Sequence, residues 1–226
     1  MTLLAKRTAL VALAAALASA APALASPPAQ EGPSVSLRAG YAIPLGAIFG
    51  SQQLGDVFTG QVPVEIAAGY WFTPNWYLGG YFQYGIGVLN ALTLRDVSLD
   101  CSPADVYCHG RDLRLGIEAA YHLRPGQTVE PWFSLGLGYE WANLQHDAPG
   151  TSIQVSVHGL EFARGTFGVD FRVSSRVSLG PYVTASLGSY GVGSLSVTGN
   201  PPYSLALPER KFHGWVTFAL QATLNL

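Results

Sequence analysis

The sequence predicts an all-β chain that closes into an eight-stranded antiparallel transmembrane β-barrel, and three observations predict it. Charged residues are only 12% of the 226-residue chain, while hydrophobic residues are 49%. A soluble domain carries about 25% charged residues, and one so poor in charge would not cover its surface. Beyond the N-terminus no apolar run approaches the roughly 18 residues that a membrane helix needs. Apolar residues alternate instead with small or polar ones in eight separate runs, which places a lipid-facing surface on every second residue.

The first residues bear on export. Lys6 and Arg7 precede an Ala-rich apolar run from Thr8 to about Ala21, and Ala23-Leu24-Ala25 puts small residues where a signal peptidase reads. Residues 1–25 read as a cleaved signal peptide, with a membrane helix as the alternative. No cysteine stands at the cleavage point, which argues against a lipid anchor. Without Lys6 and Arg7, 10 of the 12 basic residues remain against 14 acidic ones, a net charge of −4. This balance gives no basic stripe for nucleic acid. Residues 26–33 (SPPAQEGP) form a flexible lead, and residues 34–226 suit one barrel domain.

The runs follow in order. The first sets Val35, Leu37, Ala39, Tyr41 and Ile43 against Ser36, Arg38, Gly40 and Ala42, and the second sets Val64, Ile66, Ala68, Tyr70 and Phe72 against Glu65, Ala67, Gly69 and Trp71. The third points Trp76, Leu78, Phe82, Tyr84, Ile86 and Val88 outward, with Tyr77, Tyr81 and Gln83 inward. In the fourth, Leu113 to Leu123 alternate with Arg114, Gly116, Glu118, Ala120 and His122; in the fifth, Phe133 to Trp141 alternate with Ser134, Gly136, Gly138 and Glu140. The sixth puts Phe167, Val169 and Phe171 outside and Arg164, Thr166, Gly168 and Asp170 inside, with a register shift open in its upper part. The seventh opposes Val177, Leu179, Val183, Ala185 and Leu187 to Ser178, Gly180, Tyr182, Thr184 and Ser186, and the last alternates from Val216 to Leu226. Glycines such as Gly136 and Gly138 read as lumen positions that make room.

Connections alternate in length. Residues 73–75, 124–130 and 174–176 are short turns, whereas 45–60, 90–110, 142–154 and 191–209 are longer and read as exposed loops able to bind a partner. Tyr70, Phe72, Trp76, Tyr121 and Phe133 fall near the short turns, and Tyr41, Tyr84, Tyr139 and Trp141 near the loops, as two interfacial belts require. Pro63 and Pro181 interrupt strands, so a rim or a bulge is expected at each. A soluble lipocalin-like barrel is the alternative fold, with apolar and polar faces exchanged.

Taken together, the leader, the runs and the closing segment Trp215 to Leu226 (WVTFALQATLNL) resemble the small outer-membrane barrels of the OmpA, OmpX and OmpW type. The chain departs from them at Leu226, where these barrels usually end in Phe. The resemblance implies residence in the outer membrane, surrounded by lipid and lipopolysaccharide. It also implies recognition of the closing strand by the outer-membrane assembly machinery. No single activity follows from it.

The inward charges are the most informative candidates. Counted from the short turns, Glu65, Arg114, Glu140 and Arg164 share one height, and Arg38, Glu118, Asp170 and His122 a lower one. Ionised groups in a narrow lumen must be paired or hydrated. One reading is a structural plug of paired guanidiniums and carboxylates, in a barrel with a structural or surface-interaction role. The other is a passive channel for small, apolar solutes in the OmpW manner; proton chemistry is a third. Cys101 and Cys108 are too far apart in sequence for the usual zinc spacing and read as a loop disulfide, so neither metal nor cofactor is expected. Ser156, His158 and Glu161 form the one candidate catalytic set; Ser156 and His158 share a strand face, but the expectation is that the chain is not an enzyme.

Overall fold

The structure is a computed structural model, and it describes residues 31–50, 52–89, 92–94, 97–99, 103, 105–206 and 210–226. The signal-peptide reading and most of the flexible lead lie outside the described residues. The elements are β1 (Gly32–Phe49), β2 (Gln52–Gln53), α1 (Leu54–Val57), β3 (Phe58–Trp71), β4 (Trp76–Leu89), β5 (Leu92–Leu94) and β6 (Val97–Leu99). They continue with β7 (Tyr107–His122), β8 (Val129–Ala148), β9 (Thr151–Arg172), β10 (Val177–Val197), β11 (Tyr203–Ala206) and β12 (His213–Asn225). Eight long strands, β1, β3, β4, β7, β8, β9, β10 and β12, pair antiparallel in that order, and β12 returns to β1 from Ser34/Asn225 to Gly46/His213. The ring is closed, so its long strands have no free edge at mid-height.

The alternation in every run becomes an inside and an outside. Leu37, Ile66, Phe82, Ile117, Leu135, Phe167, Leu179 and Leu220, one from each long strand, are 46–68% exposed. An apolar surface running around the whole wall belongs against lipid, and the lipocalin-like alternative, with its polar exterior, is excluded. Near the short turns the outer face carries the pairs Tyr70–Phe72, Trp76–Tyr121 and Tyr121–Phe133, with ring centroids 5.3, 4.9 and 5.7 Å apart. Near the other end Tyr139 and Trp141 lie 4.5 Å apart, and Phe162 meets Phe212 at 5.6 Å.

Two of the loop expectations are corrected. Residues 142–154 are chiefly strand: β8 runs to Ala148 and β9 begins at Thr151, joined at Pro149-Gly150. Proline presets φ for the first turn position, and Gly150 takes φ +79° at the second, which favours glycine. Residues 191–197 likewise extend β10, against which β11 pairs from Val192/Ala206 to Leu195/Tyr203. The wall is therefore tall at β8–β10 and low at β1, β3 and β4.

The prolines are corrected too. Neither lies at a register shift. The β1–β3 ladder stops at Ala39/Val64 and resumes at Ala42/Gln61, and the β9–β10 ladder stops at Leu179/Phe171 and resumes at Tyr182/Gly168. Each proline, lacking an N–H, is passed over by one neighbour while pairing continues with the other, at Pro63/Gly85 and Pro181/Leu220. The register shift left open in the upper part of the sixth run is present, at residues 161–164 of β9. Gly136 faces Arg164 while Gly138 faces Glu161, and Leu187 faces Ala163 while Gly188 faces Glu161. Phe162 and Ala163 both point outward at this bulge, which reverses the face of every residue above it.

Gly116 and Gly138 show how the narrow interior is filled. A Cβ at either would come within 2.5 Å of the Tyr81 hydroxyl, and Tyr81 is 1% exposed. Gly138→Val is expected to displace that ring and lower stability by about 1–3 kcal/mol. Urea unfolding in detergent micelles measures it; an unchanged midpoint would show that the ring has somewhere else to go.

Candidate functional site

The lumen collects the inward side chains of all eight long strands into three levels and a cap. At the short-turn end, Glu130 accepts the Gly126 N–H at 2.6 Å, meets His122 Nδ1 at 3.3 Å and pairs with Arg172. Asp170 accepts from Gln221 Nε2 at 2.7 Å and Trp132 Nε1 at 3.2 Å. A cavity of about 50 Å³ opens here between Ser36, Arg38, Trp71 and Thr223, room for a few waters.

At mid-height Arg38 lies 2.7 Å from Glu65 and 2.8 Å from Glu118, and Arg164 lies 2.6 Å from Glu65. Arg38 Nε also donates to Gln221 Oε1 at 3.0 Å. The Arg164 guanidinium sits 4.2 Å from the Tyr81 ring centre, close enough for a cation–π contact, and the Tyr81 hydroxyl donates to Glu161 at 3.0 Å.

Above this level Arg114 approaches Asp112 at 2.7 Å, Glu140 at 3.4 Å and Glu161 at 3.5 Å. Glu140 also accepts from the Tyr190 hydroxyl at 2.7 Å and Trp215 Nε1 at 3.2 Å, and meets His213 Nε2 at 3.0 Å. The Tyr190 and His213 rings stack 3.8 Å apart.

The cap is apolar. After β1, the chain folds inward through β2 and α1, where the Asp56 carboxylate accepts the Gln53 N–H at 3.0 Å. This delivers Ile48, Leu54, Val57 and Phe58 to a buried cluster with Ala42, Ala142, Leu144, Val157, Tyr190 and Trp215. Phe58 meets Trp215 edge to face at 5.7 Å. The segment expected as an exposed loop at 45–60 is thus in large part a lid seated in the barrel mouth.

The structure brings all the inward candidates into the lumen but regroups them. Glu65 with Arg164, Arg114 with Glu140 and Arg38 with Glu118 stay within the heights counted from the short turns, but Arg38 is also the direct cross-strand partner of Glu65, so the two heights are not separate. Barrel strands tilt and are staggered, so equal counts from the turns are not equal heights. Sequence reasoning missed Asp112, Glu130, Glu161, Tyr190 and His213 as lumen groups. Asp112 and Glu130 merely continue the alternation of runs ended too early, and Glu161 is turned inward by the bulge. The catalytic set does not assemble. Ser156 and His158 stay on the outer face, where Ser156 donates to Asn143 Oδ1 and His158 Nδ1 lies 2.5 Å from the Tyr139 hydroxyl, while Glu161 is in the lumen. Cys108 lies in β7; its expected partner Cys101 lies outside the described residues.

No protein-family model and no curated protein matches the chain. Solved structures do. A major outer membrane protein of Thermus thermophilus is 15% identical with a TM-score of 0.55, over 87% of this chain and 100% of that one. The outer membrane protein OprG of Pseudomonas aeruginosa is 14% identical with a TM-score of 0.51, over 87% of this chain and 98% of that one. The fold, a closed antiparallel ring of eight long strands, is the one that these small outer-membrane β-barrels share.

Glu65 is the carboxylate shared by two guanidiniums at mid-height. Glu65→Ala is expected to cost about 3–5 kcal/mol, because it leaves buried positive charge uncompensated. Chemical unfolding of the micelle-bound barrel measures the loss, and a loss below about 1 kcal/mol would mean that water can hydrate the two guanidiniums in place.

Proposed function

We propose that the chain is an integral outer-membrane barrel with a closed, charge-paired lumen and a structural or surface-interaction role carried by its tall hairpins. It is exported by residues 1–25, surrounded by lipid and lipopolysaccharide, recognised by the assembly machinery through β12, and not catalytic. One observation carries the closed-lumen reading: Arg38, Glu65, Glu118, Arg164, Arg114 and Glu140 are at most 5% exposed, under a lid whose Leu54 and Val57 are fully buried. An eight-stranded barrel is only wide enough for side chains to fill, and here they do so at successive heights.

The tall wall supports the surface role. Above the apolar belt the outer face of β8 and β9 turns polar, with Gln145 Nε2 donating to Asp147 at 2.9 Å, Ser152 Oγ donating to Asp147 at 2.6 Å, and Gln154 Nε2 donating to Asn143 at 3.3 Å. Such a face, locked by its own hydrogen bonds on paired strands, presents donors and acceptors at fixed positions to a partner outside the cell.

A second reading has its own support. The lid and the wall it rests on, through Leu144, Val157 and Trp215, are apolar, and a lid that lifts would admit small apolar solutes to a passive channel. Single-channel recording in a planar bilayer separates the readings. Silence in the wild type, with leak in Arg114→Ala or Arg164→Ala, is expected; steady wild-type openings would overturn the closed lumen in favour of the channel.

Export into an oxidising compartment also implies a disulfide between Cys101 and Cys108. Intact-mass measurement of protein recovered from outer membranes is expected to give a chain beginning at Ser26, with no thiol available for alkylation before reduction. A retained leader or two alkylated thiols would overturn the respective reading.

A further inference from the structure

The outer face of the tall wall changes character over a short rise. At the aromatic belt it holds Leu113, Trp141 and His158, direct neighbours across β7, β8 and β9. The next row holds Arg111, Asn143 and Ser156, the one above it Gln145 and Gln154, and the third Asp147 and Ser152. Opposed residues of an antiparallel ladder share a face, so these groups form one polar surface continuous with the lipid belt. Arg111 marks the boundary. It is exposed, between Ile86 of β4, 55% exposed in the apolar belt, and Asn143 of β8. No carboxylate among the described residues pairs with it. Asp147 stands two rows higher and already accepts from Gln145 and Ser152.

Height and chemistry select what covers this face. From Trp141 to Asp147 the strand rises about 20 Å, or about 15 Å along the membrane normal at a barrel's usual tilt. A phospholipid headgroup layer is only about 5–8 Å deep, enough to reach the row of Arg111 but not the two rows above it. The side chains there are carboxamides and hydroxyls, each both donor and acceptor, as sugar hydroxyls are. Asn143 takes Gln154 Nε2 and Ser156 Oγ on its carbonyl oxygen, which leaves its amide N–H groups as donors. None of the β8 and β9 positions in the three rows carries a large aromatic or apolar anchor of the kind that dominates protein–protein contacts.

We propose that this face binds the phosphorylated sugar headgroup of the lipopolysaccharide in its own membrane, with Arg111 on a phosphate and Asn143, Gln145 and Gln154 on the sugars above it. A guanidinium matches the oxygens of a phosphate, and Arg111 stands at the depth where headgroups begin. The carboxamide rows stand where only a lipid with a saccharide headgroup reaches. The inference rests on the surface role proposed for the tall hairpins and names their partner as a lipid of the same membrane.

The test is native mass spectrometry of the full barrel in detergent micelles, titrated with lipopolysaccharide bearing its core sugars, lipid A alone, dephosphorylated lipid A or phosphatidylglycerol. The core-bearing form is expected to bind most tightly and phosphatidylglycerol least. Arg111→Gln should weaken both phosphorylated glycolipids about fivefold and leave dephosphorylated lipid A unchanged. Gln145→Ala combined with Gln154→Ala should weaken the core-bearing form and spare lipid A. Lys211→Ala, which removes an exposed cation outside these rows, should change nothing. Equal affinity for all four lipids, or binding untouched by Arg111→Gln, would overturn the proposal and leave the hairpins' surface role to another partner. An equal loss in Lys211→Ala would reduce the effect to net charge and overturn the site. Delipidated core oligosaccharide binding as tightly as the intact glycolipid would place the ligand outside the membrane and overturn the choice of lipid.

Discussion

Lipid offers no hydrogen bonds to a peptide group, and the rest of this structure depends on that constraint. Each N–H and C=O within the apolar belt must find a partner in the chain, so the eight long strands have to close. Closure at eight strands leaves an interior only as wide as the side chains that fill it. A charged residue inside has neither bulk water nor space to turn away, so it must find a partner at the height where its strand places it. The shared carboxylate of Glu65, the four donors around Glu140 and the glycines under Tyr81 all answer this one demand.

Much of this was legible in the sequence because a two-residue period needs no tertiary information. The inside and outside of each run between the two aromatic belts followed from alternation alone, and the short turns followed from their length. Relative height was not legible. Arg38 and Glu65 sit at different counts from their nearest short turns yet are direct neighbours in register, because register depends on stagger, a property of the closed ring rather than of any one strand. Glu161 was hidden for a related reason: the extra residue at Phe162 and Ala163 exchanges the two faces above it, and no turn residue marks the place.

The tall hairpins were hidden by a reversal of chemistry. Inside the lipid belt apolar side chains face out. In β8 above the belt, Ala142 and Leu144 face in while Asn143, Gln145 and Asp147 face out, and β9 matches them with Val155 and Val157 inward and Gln154 and Ser156 outward. The period of two never stops; only its sign changes, as the surroundings of the outer face change from lipid to water. Read for apolar-out alternation, β8 ends near Trp141. Read for period alone, it continues to the Pro149-Gly150 turn, a turn signal in its own right.

That reversal also explains the lid. A wall whose inner face is apolar above the belt cannot stand in water uncovered. The facing wall is too short to cover it, since β1 ends at Phe49 and β3 begins at Phe58. The intervening segment supplies the cover by turning Leu54 and Val57 inward, with Ile48 and Phe58 at its flanks. Lid and tall wall are therefore one hydrophobic core, and neither is stable in its place without the other. The inner face of the wall is occupied by its own chain, and the face it leaves open is the outer one. Any passage through the mouth would have to break that core before reaching the paired charges beneath it.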